Sequence, residues 1–478
     1  ESTDRKLREF FLPPWVAGIK KSGALGVMAT YPAIDGVAVH SSEKMLTKIL
    51  REELGFKGIV LGEGGGLSTI VTERHAANQK DAGILAIKAG LDIGISIEDA
   101  YMGALIENVH NGKISEKDVD LAVARLLRLK FQLGLFENPY VNVENAVKIV
   151  NSEEHRALAL QAAREGIVLL KNEKNILPLK KNIRSIAVIG PAADAPVDQL
   201  GDYHPQTIPQ EVVTVLKGVR NKLSSSVKIT YVKGCEVIGN KVNEIEKARK
   251  AARNADVAVV VIGEAGYVTN GEGRDVANLD LTGLQEDLLK AVYSSGTPTI
   301  AVLINGRPLS IRWASENIPG IVEAWMCGEQ GGNAVADVLF GDYNPSGKLP
   351  ITVPRHSGQY PFYYNHSATR ENTKYVDMPG TPLYPFGYGL SYTSYEYSNL
   401  QITPKEINNR GDVEITADIK NIGKVKGEEV AQLYINDVIS STSKPVKELK
   451  GYEKISLEPG EQKSVRFRLT HEDLSLFD

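Results

Sequence analysis

Cysteine is nearly absent, with two in 478 residues. Cys235 and Cys327 lie in different segments, and neither has a second cysteine or a histidine at metal-ligand spacing,. That excludes a disulfide-stapled scaffold and a zinc site built on them, and leaves both as buried small apolar residues. Long apolar runs are also missing. Nothing approaches the roughly 20 residues that cross a bilayer, which excludes a transmembrane helix. The charged start ESTDRKLREFF is not a signal peptide and reads as the middle of a domain, so it leaves the compartment open,. There is no positive surplus either. The 55 basic residues stand against 59 acidic ones, a net charge of −4, which excludes nucleic acid or an anionic membrane as the main partner,. The eight histidines show no metal spacing, and no GxSxG elbow occurs,. GDYNPSGKL, from Gly341, is not a phosphate loop: one residue too many precedes Gly347-Lys348, and Leu349 stands where Ser or Thr is required,. No cofactor or metal is called for.

What is present is a pair of glycine-flanked acidic loops. GFKGIVLGEGGG, from Gly55, and GEAGYVTNGEGRD, from Gly263, set Glu63 and Glu272 beyond apolar, strand-like runs. Glycines there let the backbone crowd a ligand. Two carboxylates drawn from separate units are the minimum equipment for glycosidic cleavage, one attacking and one carrying the proton. Acidic residues in such loops are more often solvated turn formers, so the spacing alone decides nothing.

At this length two to four domains are expected. From Gly23 to about Tyr140, the runs GALGVMAT, GIVLG and LDIGIS read as buried parallel strands. Met45 to Leu54, Arg74 to Ala89, Ala100 to Asn111 and the stretch capped by Ser115 and stopped by Gly134 read as helices,. Glu63 and Tyr31 then stand at strand carboxyl ends, where (β/α)8 barrels keep their chemistry. Three strands make only the second half of one. After a break at NPYVNVENA, IRSIAVIG, VKITYV, DVAVVVIGE, TIAVLIN and GIVEAWM read as a second, mostly parallel sheet,. A Tyr-, Pro- and Gly-rich stretch from His356 reads as a packed connector. VEITADI, VAQLYIN and VRFRLT then alternate as half-buried strands of a small sandwich that stops at Phe477-Asp478,. The expected division is 1–137, second half of a barrel; 138–165, linker and helix; 166–355, α/β sandwich; 356–397, connector; 398–478, β-sandwich.

LREFFLPPWVAGIK, GVMATYPAIDG, ILREELGFKGIVL, AAREGIVLLKNEKNILPL, AWMCGEQGGNAVADVLFGDYNPSGKLPITVP and PLYPFGYGLSYTSYEY resemble landmarks of glycoside hydrolase family 3, and the likeness covers nearly the whole chain. The resemblance implies a barrel, an α/β sandwich and a fibronectin-III-like domain, with retention at the anomeric carbon. It places Glu63 at the nucleophile position, where the family normally carries Ser-Asp-Trp and this sequence has Gly62-Glu63-Gly64. It places Glu272 as acid/base, with Glu264 the competing candidate. Met28 and Tyr31 fall on strand-end positions that line the sugar, and Asp92 reads as structural. Tyr203 and Tyr267 read either as aromatic walls of an outer subsite or as loop aromatics that simply pack.

The implied activity is a retaining exo-β-glycosidase acting on β-linked glucosides or oligosaccharides, β-glucosidase first. A β-xylosidase or a carbohydrate-binding scaffold without turnover is the alternative. The family's sugar-gripping aspartate, arginine and Lys-His pair belong to earlier barrel strands that this sequence does not contain. A longer chain, a second chain completing the barrel, or loss of catalysis each accounts for that, and a homodimer stays open.

Overall fold

The computed structural model describes residues 3–206, 208–371, 374–408 and 410–476. Phe477-Asp478, the expected stop of the last domain, lies outside them. The chain divides into two compact units, one reaching Glu144 and one running Asn145–Leu474. The division falls inside the stretch expected as linker, where Val143–Ile149 and Glu153–Gly166 are helical. Among the described residues no helix is long and apolar enough to cross a membrane.

In the first unit, strands β1 (Gly26–Met28) and β2 (Ile59–Leu61) pair in parallel, with Val27 opposite Val60. The third expected strand, LDIGIS, contributes one parallel bridge, Leu61 to Ile93. Helices follow each strand. Lys44–Glu53 is wound as a π-helix, and Gln79–Ala89, Gly103–His110 and Glu116–Gln132 are α-helices. Ser115 caps the last of these and Gly134 turns left-handed beyond it, as expected,. The helix expected from Arg74 begins five residues later. Arg74 takes a φ of 62°, and the Asn78 side chain accepts the Asp81 N–H, making Asn78 the cap. The apolar stripe had extended the periodicity back across a polar turn. Leu67, Ile70, Val60 and Leu91 are fully buried between these elements.

The second unit is built on a six-stranded sheet. Its strands are β3 (Val168–Asn172), β4 (Ser185–Ile189), β5 (Lys228–Val232), β6 (Val257–Gly263), β7 (Thr299–Ile304) and β8 (Gly320–Glu323). Their spatial order is β3-β8-β7-β6-β4-β5. All neighbours are parallel except β3, which joins β8 antiparallel at the edge. Every residue of β6 and β7 is buried, which is why both read as continuous apolar runs without alternation,. The chain moves outward from β4 to β5 and then back across to β6. The order therefore reverses between β4 and β6, the crevice at which open α/β sheets hold ligands.

The last domain has a three-stranded sheet, β9 (Tyr395–Thr403), β10 (Val413–Asn421) and β13 (Gln462–Leu469), and a pair, β11 (Gly427–Ile435) with β12 (Glu448–Leu457). Ile419, Leu457 and Val465 form its small core. β9 begins inside the expected connector, and β12 went unread. Both lack a clean apolar alternation, since β9 is mostly exposed and β12 carries Gly451 among charges, so pairing rather than burial defines them.

Asp92 sets the spacing of the first unit. Its side chain is 1% exposed; Oδ2 accepts from Arg51 at 2.6 Å and from the Val60 N–H at 2.8 Å, and Oδ1 accepts from Arg125 at 2.8 Å. One carboxylate thus joins two helices to β2, the structural role expected of it. Removing one partner of a buried pair strands the other charges, at a cost of about 3–5 kcal/mol. Asp92→Ala is expected to lower the protection of the Val60 amide against hydrogen exchange by that amount and to leave β6 unaffected, which amide exchange by mass spectrometry resolves.

Candidate active site

Each candidate side chain of the first unit stands at the carboxyl end of a parallel strand. Met28 ends β1, Tyr31 follows it, and Glu63 lies two residues beyond β2. Glu63 is half-buried and its loop is tied at nearly every residue. The Gly62 N–H donates to the Ile93 carbonyl at 2.7 Å, the Glu63 N–H to His40 Nε2 at 3.2 Å, and the Gly66 N–H to the Glu63 carbonyl at 2.8 Å. Ser96 Oγ accepts from the Gly65 N–H at 2.7 Å. The Tyr31 hydroxyl donates to the Gly64 carbonyl at 2.5 Å. Tyr31 therefore grips the backbone beside Glu63, through the carbonyl one residue on.

His40 went unread because a lone histidine in VAVHSS carries no spacing signal. It is fully buried and stacks near Tyr31, with centroids 6.5 Å apart. Burial holds its pKa below the ordinary value, outweighing the Glu98 carboxylate and the Thr30 backbone, so a neutral ring accepts the Glu63 N–H,. A Cβ on Gly66 would lie 2.0 Å from Nε2, so glycine is required there. Glu98, also unread, caps the helix Gly66–Thr72 by accepting the Ser68 N–H and hydroxyl, both at 2.7 Å. Met28 borders an apolar cavity of about 350 Å³ with Leu7, Phe11, Trp15 and Ile34.

In the second unit the loops after β4 and β6 flank the topological crevice, and they carry Tyr203, Tyr267 and Glu272. Asp202 Oδ2 accepts the Glu272 N–H at 2.7 Å, and the Tyr203 hydroxyl donates to Glu272 Oε2. Gly271 has a φ of 122°, and a Cβ there would meet the Asp202 carboxylate at 2.7 Å, so only glycine lets the loops close. Tyr203 is 78% exposed and Tyr267 45%, both with left-handed backbones that turn the rings outward. His204 packs edge-on against Tyr267, with centroids 5.7 Å apart. Glu272, Tyr203 and Tyr267 thus converge on one exposed face. Asp202 carries no sequence signal, because the N–H it accepts lies 70 residues along the chain.

Glu264, the competing acid, is 4% exposed and committed to structure. It pairs with Arg307 at 2.8 Å and accepts from Asn270 and the Gly306 N–H, each at 2.9 Å. So bonded, its carboxylate is spent on holding the loop and strand ends together. Nearby, Glu323 is fully enclosed, accepting from the Trp325 N–H at 3.0 Å and from Asn305 at 3.2 Å. Burial pushes its pKa up to about 8. Asp198, on the loop after β4, is raised to about 6 by burial, against the Gly266 backbone and Lys233. Cys235 and Cys327 are buried, as expected, and their thiols are raised by desolvation to about 11 and about 12. Among the described residues no His, Cys, Asp and Glu cluster could hold a metal.

Residues 1–129 match the glycosyl hydrolase family 3 N terminal domain, 167–392 its C-terminal domain, and 429–478 a fibronectin type III-like domain. The chain is 38% identical to a beta-xylosidase of Formosa agariphila, over all of this chain and 68% of that protein. It is 37% identical to a periplasmic beta-glucosidase of Salmonella typhimurium, over all of this chain and 66% of that protein. Among solved structures, a beta-glucosidase from Listeria innocua in complex with glucose superposes with a TM-score of 0.92 at 35% identity, covering all of this chain and 66% of that one. The chain spans about two thirds of the length of these relatives.

Glu323 gives the second unit a pH dependence. Its folded pKa of about 8 lies above the free value of 4.5, so the native state binds the proton more tightly than the unfolded chain does. The stability it contributes is full below pH 4.5 and is lost as pH rises through 8. Glu323→Gln, which cannot ionise, is expected to flatten that loss. Its melting temperature relative to the unsubstituted protein should rise between pH 5 and pH 8 in parallel thermal scans.

Proposed function

Because the chain belongs to glycosyl hydrolase family 3, we propose that it carries the catalytic carboxylates of a retaining exo-β-glycosidase, with terminal β-glucosyl residues as the preferred substrate. The observation that carries this reading is the placement of Glu63 and Glu272 on loops tied down through their backbones at the carboxyl ends of parallel strands. A side chain so mounted is pre-positioned by its main chain, and the Tyr203 hydroxyl orients the Glu272 carboxylate,.

Glu63 attacks the anomeric carbon as the bond to the leaving oxygen breaks, and Glu272 passes its proton to that oxygen. Glu272, now a carboxylate, then takes a proton from water, whose oxygen displaces Glu63 from the sugar. The start and end anomers are the same, as two successive displacements at one carbon require. Glutamate in place of the family's usual aspartate adds a methylene, so the sugar or loop shifts to suit. Tyr203 and Tyr267 offer ring faces to an outer sugar. Met28 and Tyr31 border the inner one.

The three strand segments of the first unit are the second half of a (β/α)8 barrel in this reading. The open edge of β1 and the apolar cavity beside Met28 are where further βα units would continue it,. Those units, with the remaining sugar-binding residues, come from a longer chain or from a second chain. Xylosides are the alternative substrate, since one of the relatives described above is a beta-xylosidase.

Hydrolysis of p-nitrophenyl β-glucoside and β-xyloside, by this chain and by a form carrying any preceding segment, ranks the substrates; no turnover in either form refutes the enzyme. NMR of the first product should show retention. A 2-fluoro glucoside is expected to label Glu63, and label on another residue removes its role. Glu63→Gln should lower kcat on the order of 10⁴-fold.

A further inference from the structure

The loop from Ala265 to Arg274 has no regular strand or helix to hold it, yet it carries Glu272. Turn bonds tie the Val268, Thr269 and Asn270 N–H groups to the Ala265 carbonyl, at 3.2, 3.0 and 3.1 Å. These close the first half of the loop, and the Arg274 N–H closes the second on the Gly271 carbonyl at 3.1 Å, so that two small turns are left to be fixed from outside. Two contacts do this. Asp202 takes the Glu272 N–H from one side. From the other side comes Arg307, two residues after Asn305 at the end of β7.

Arg307 is unusual in what its guanidinium spans. Nε meets Glu264 Oε1 at 2.8 Å, while Nη2 donates to the Thr269 carbonyl at 2.8 Å and to the Arg274 carbonyl at 3.1 Å. The two carbonyls lie three residues before and two after Glu272, so one planar group staples both shoulders of the loop. Glu264 completes the anchor from below, accepting from Asn270 within the loop and from the Gly306 N–H beside Arg307. The Arg274 side chain adds a cross-tie to the Tyr267 carbonyl at 2.9 Å. A lysine has a single nitrogen on a flexible stem and cannot hold the ion pair and both carbonyls in one plane.

We propose that Arg307, seated on Glu264, is a positioning residue for the general acid: it holds both shoulders of the Glu272 loop so that the carboxyl meets the leaving oxygen. The inference rests on Glu272 being the acid/base. Neither residue touches substrate, and their effect is confined to steps in which a proton moves through Glu272. A displacement of about 1 Å at such a group costs on the order of 100-fold in rate.

The test uses the full chain with Arg307→Met, Arg307→Lys and Glu264→Gln. Amide exchange is expected to quicken at least about tenfold across the peptide covering 265–275 in Arg307→Met, to a smaller degree in Arg307→Lys, with β6 and β7 still protected. Unchanged loop exchange overturns the anchor. Rates on a dinitrophenyl glucoside, whose leaving group needs no proton, are then compared with rates on a phenyl glucoside, whose leaving group does. The expectation is a loss of about 100-fold on the phenyl substrate and little on the dinitrophenyl one, with the lysine variant in between. Equal loss on both, while Glu272→Gln shows the selective loss, overturns positioning in favour of a merely structural role. Glu272→Gln without selective loss refutes the acid assignment and, with it, the catalytic part of the proposal, while the exchange result still judges the anchor.

Discussion

A buried or half-buried carboxylate that accepts a backbone N–H from a neighbouring segment is the contact on which both units depend. Strand ends, helix starts and loops all carry donors that no ladder partner satisfies. Asp92 takes the N–H of Val60 within β2, and Glu98 takes that of Ser68 in the first turn of its helix. In the second unit Asp202 takes the Glu272 N–H and Glu264 that of Gly306, both in loops beyond strands. A charged acceptor makes roughly twice as strong a bond as a neutral one, and these four bonds fix a strand, a helix start and two loops.

This arrangement separates two kinds of acidic residue. Asp92 and Glu264 are enclosed, paired with arginine and fully bonded, so their charge is spent on structure. Glu63 and Glu272 are held through their main-chain N–H groups, and the Glu272 carboxylate also accepts from the exposed Tyr203 hydroxyl. The contrast is one of mounting rather than residue type: Glu264, eight residues from Glu272 and at a strand end, gives its carboxylate to Arg307, Asn270 and the Gly306 N–H. Glu323 is a third kind, enclosed without a cation, and so it keeps its proton to about pH 8.

Much of this could be read directly from the chain. Continuous apolar runs such as VAVVVIG announce parallel strands buried on both faces, and Ser115 with Gly134 brackets a helix by cap chemistry alone,. The acidic loops stood out because glycines cluster where a backbone must pass close to something. Tyr203 and Tyr267 stood out as aromatics in polar loops. By contrast, β9 was obscure because its side chains are mostly exposed, and β12 because its positions are mostly half-buried with Gly451 among charges, so no period emerges in either. The true start of the helix at Gln79 was hidden by apolar residues that continued its stripe through a turn.

His40, Ser96, Asp202 and Arg307 had no local signature at all. Each acts on a residue far away in the chain: His40 on Glu63, Ser96 on Gly65, Asp202 on Glu272, and Arg307 on Thr269 and Arg274. The order of amino acids determined the strands, the helices, the family and the two candidate carboxylates, because burial periodicity, capping and glycine placement are local properties. Only the tertiary structure decided which acids are enclosed in structural bonds and what holds each loop, because hydrogen bonding across a sheet edge depends on strand order. The return of the chain from β5 across β4 to β6 brings the loops of Asp202 and Glu272 together, and no stretch of sequence contains that return.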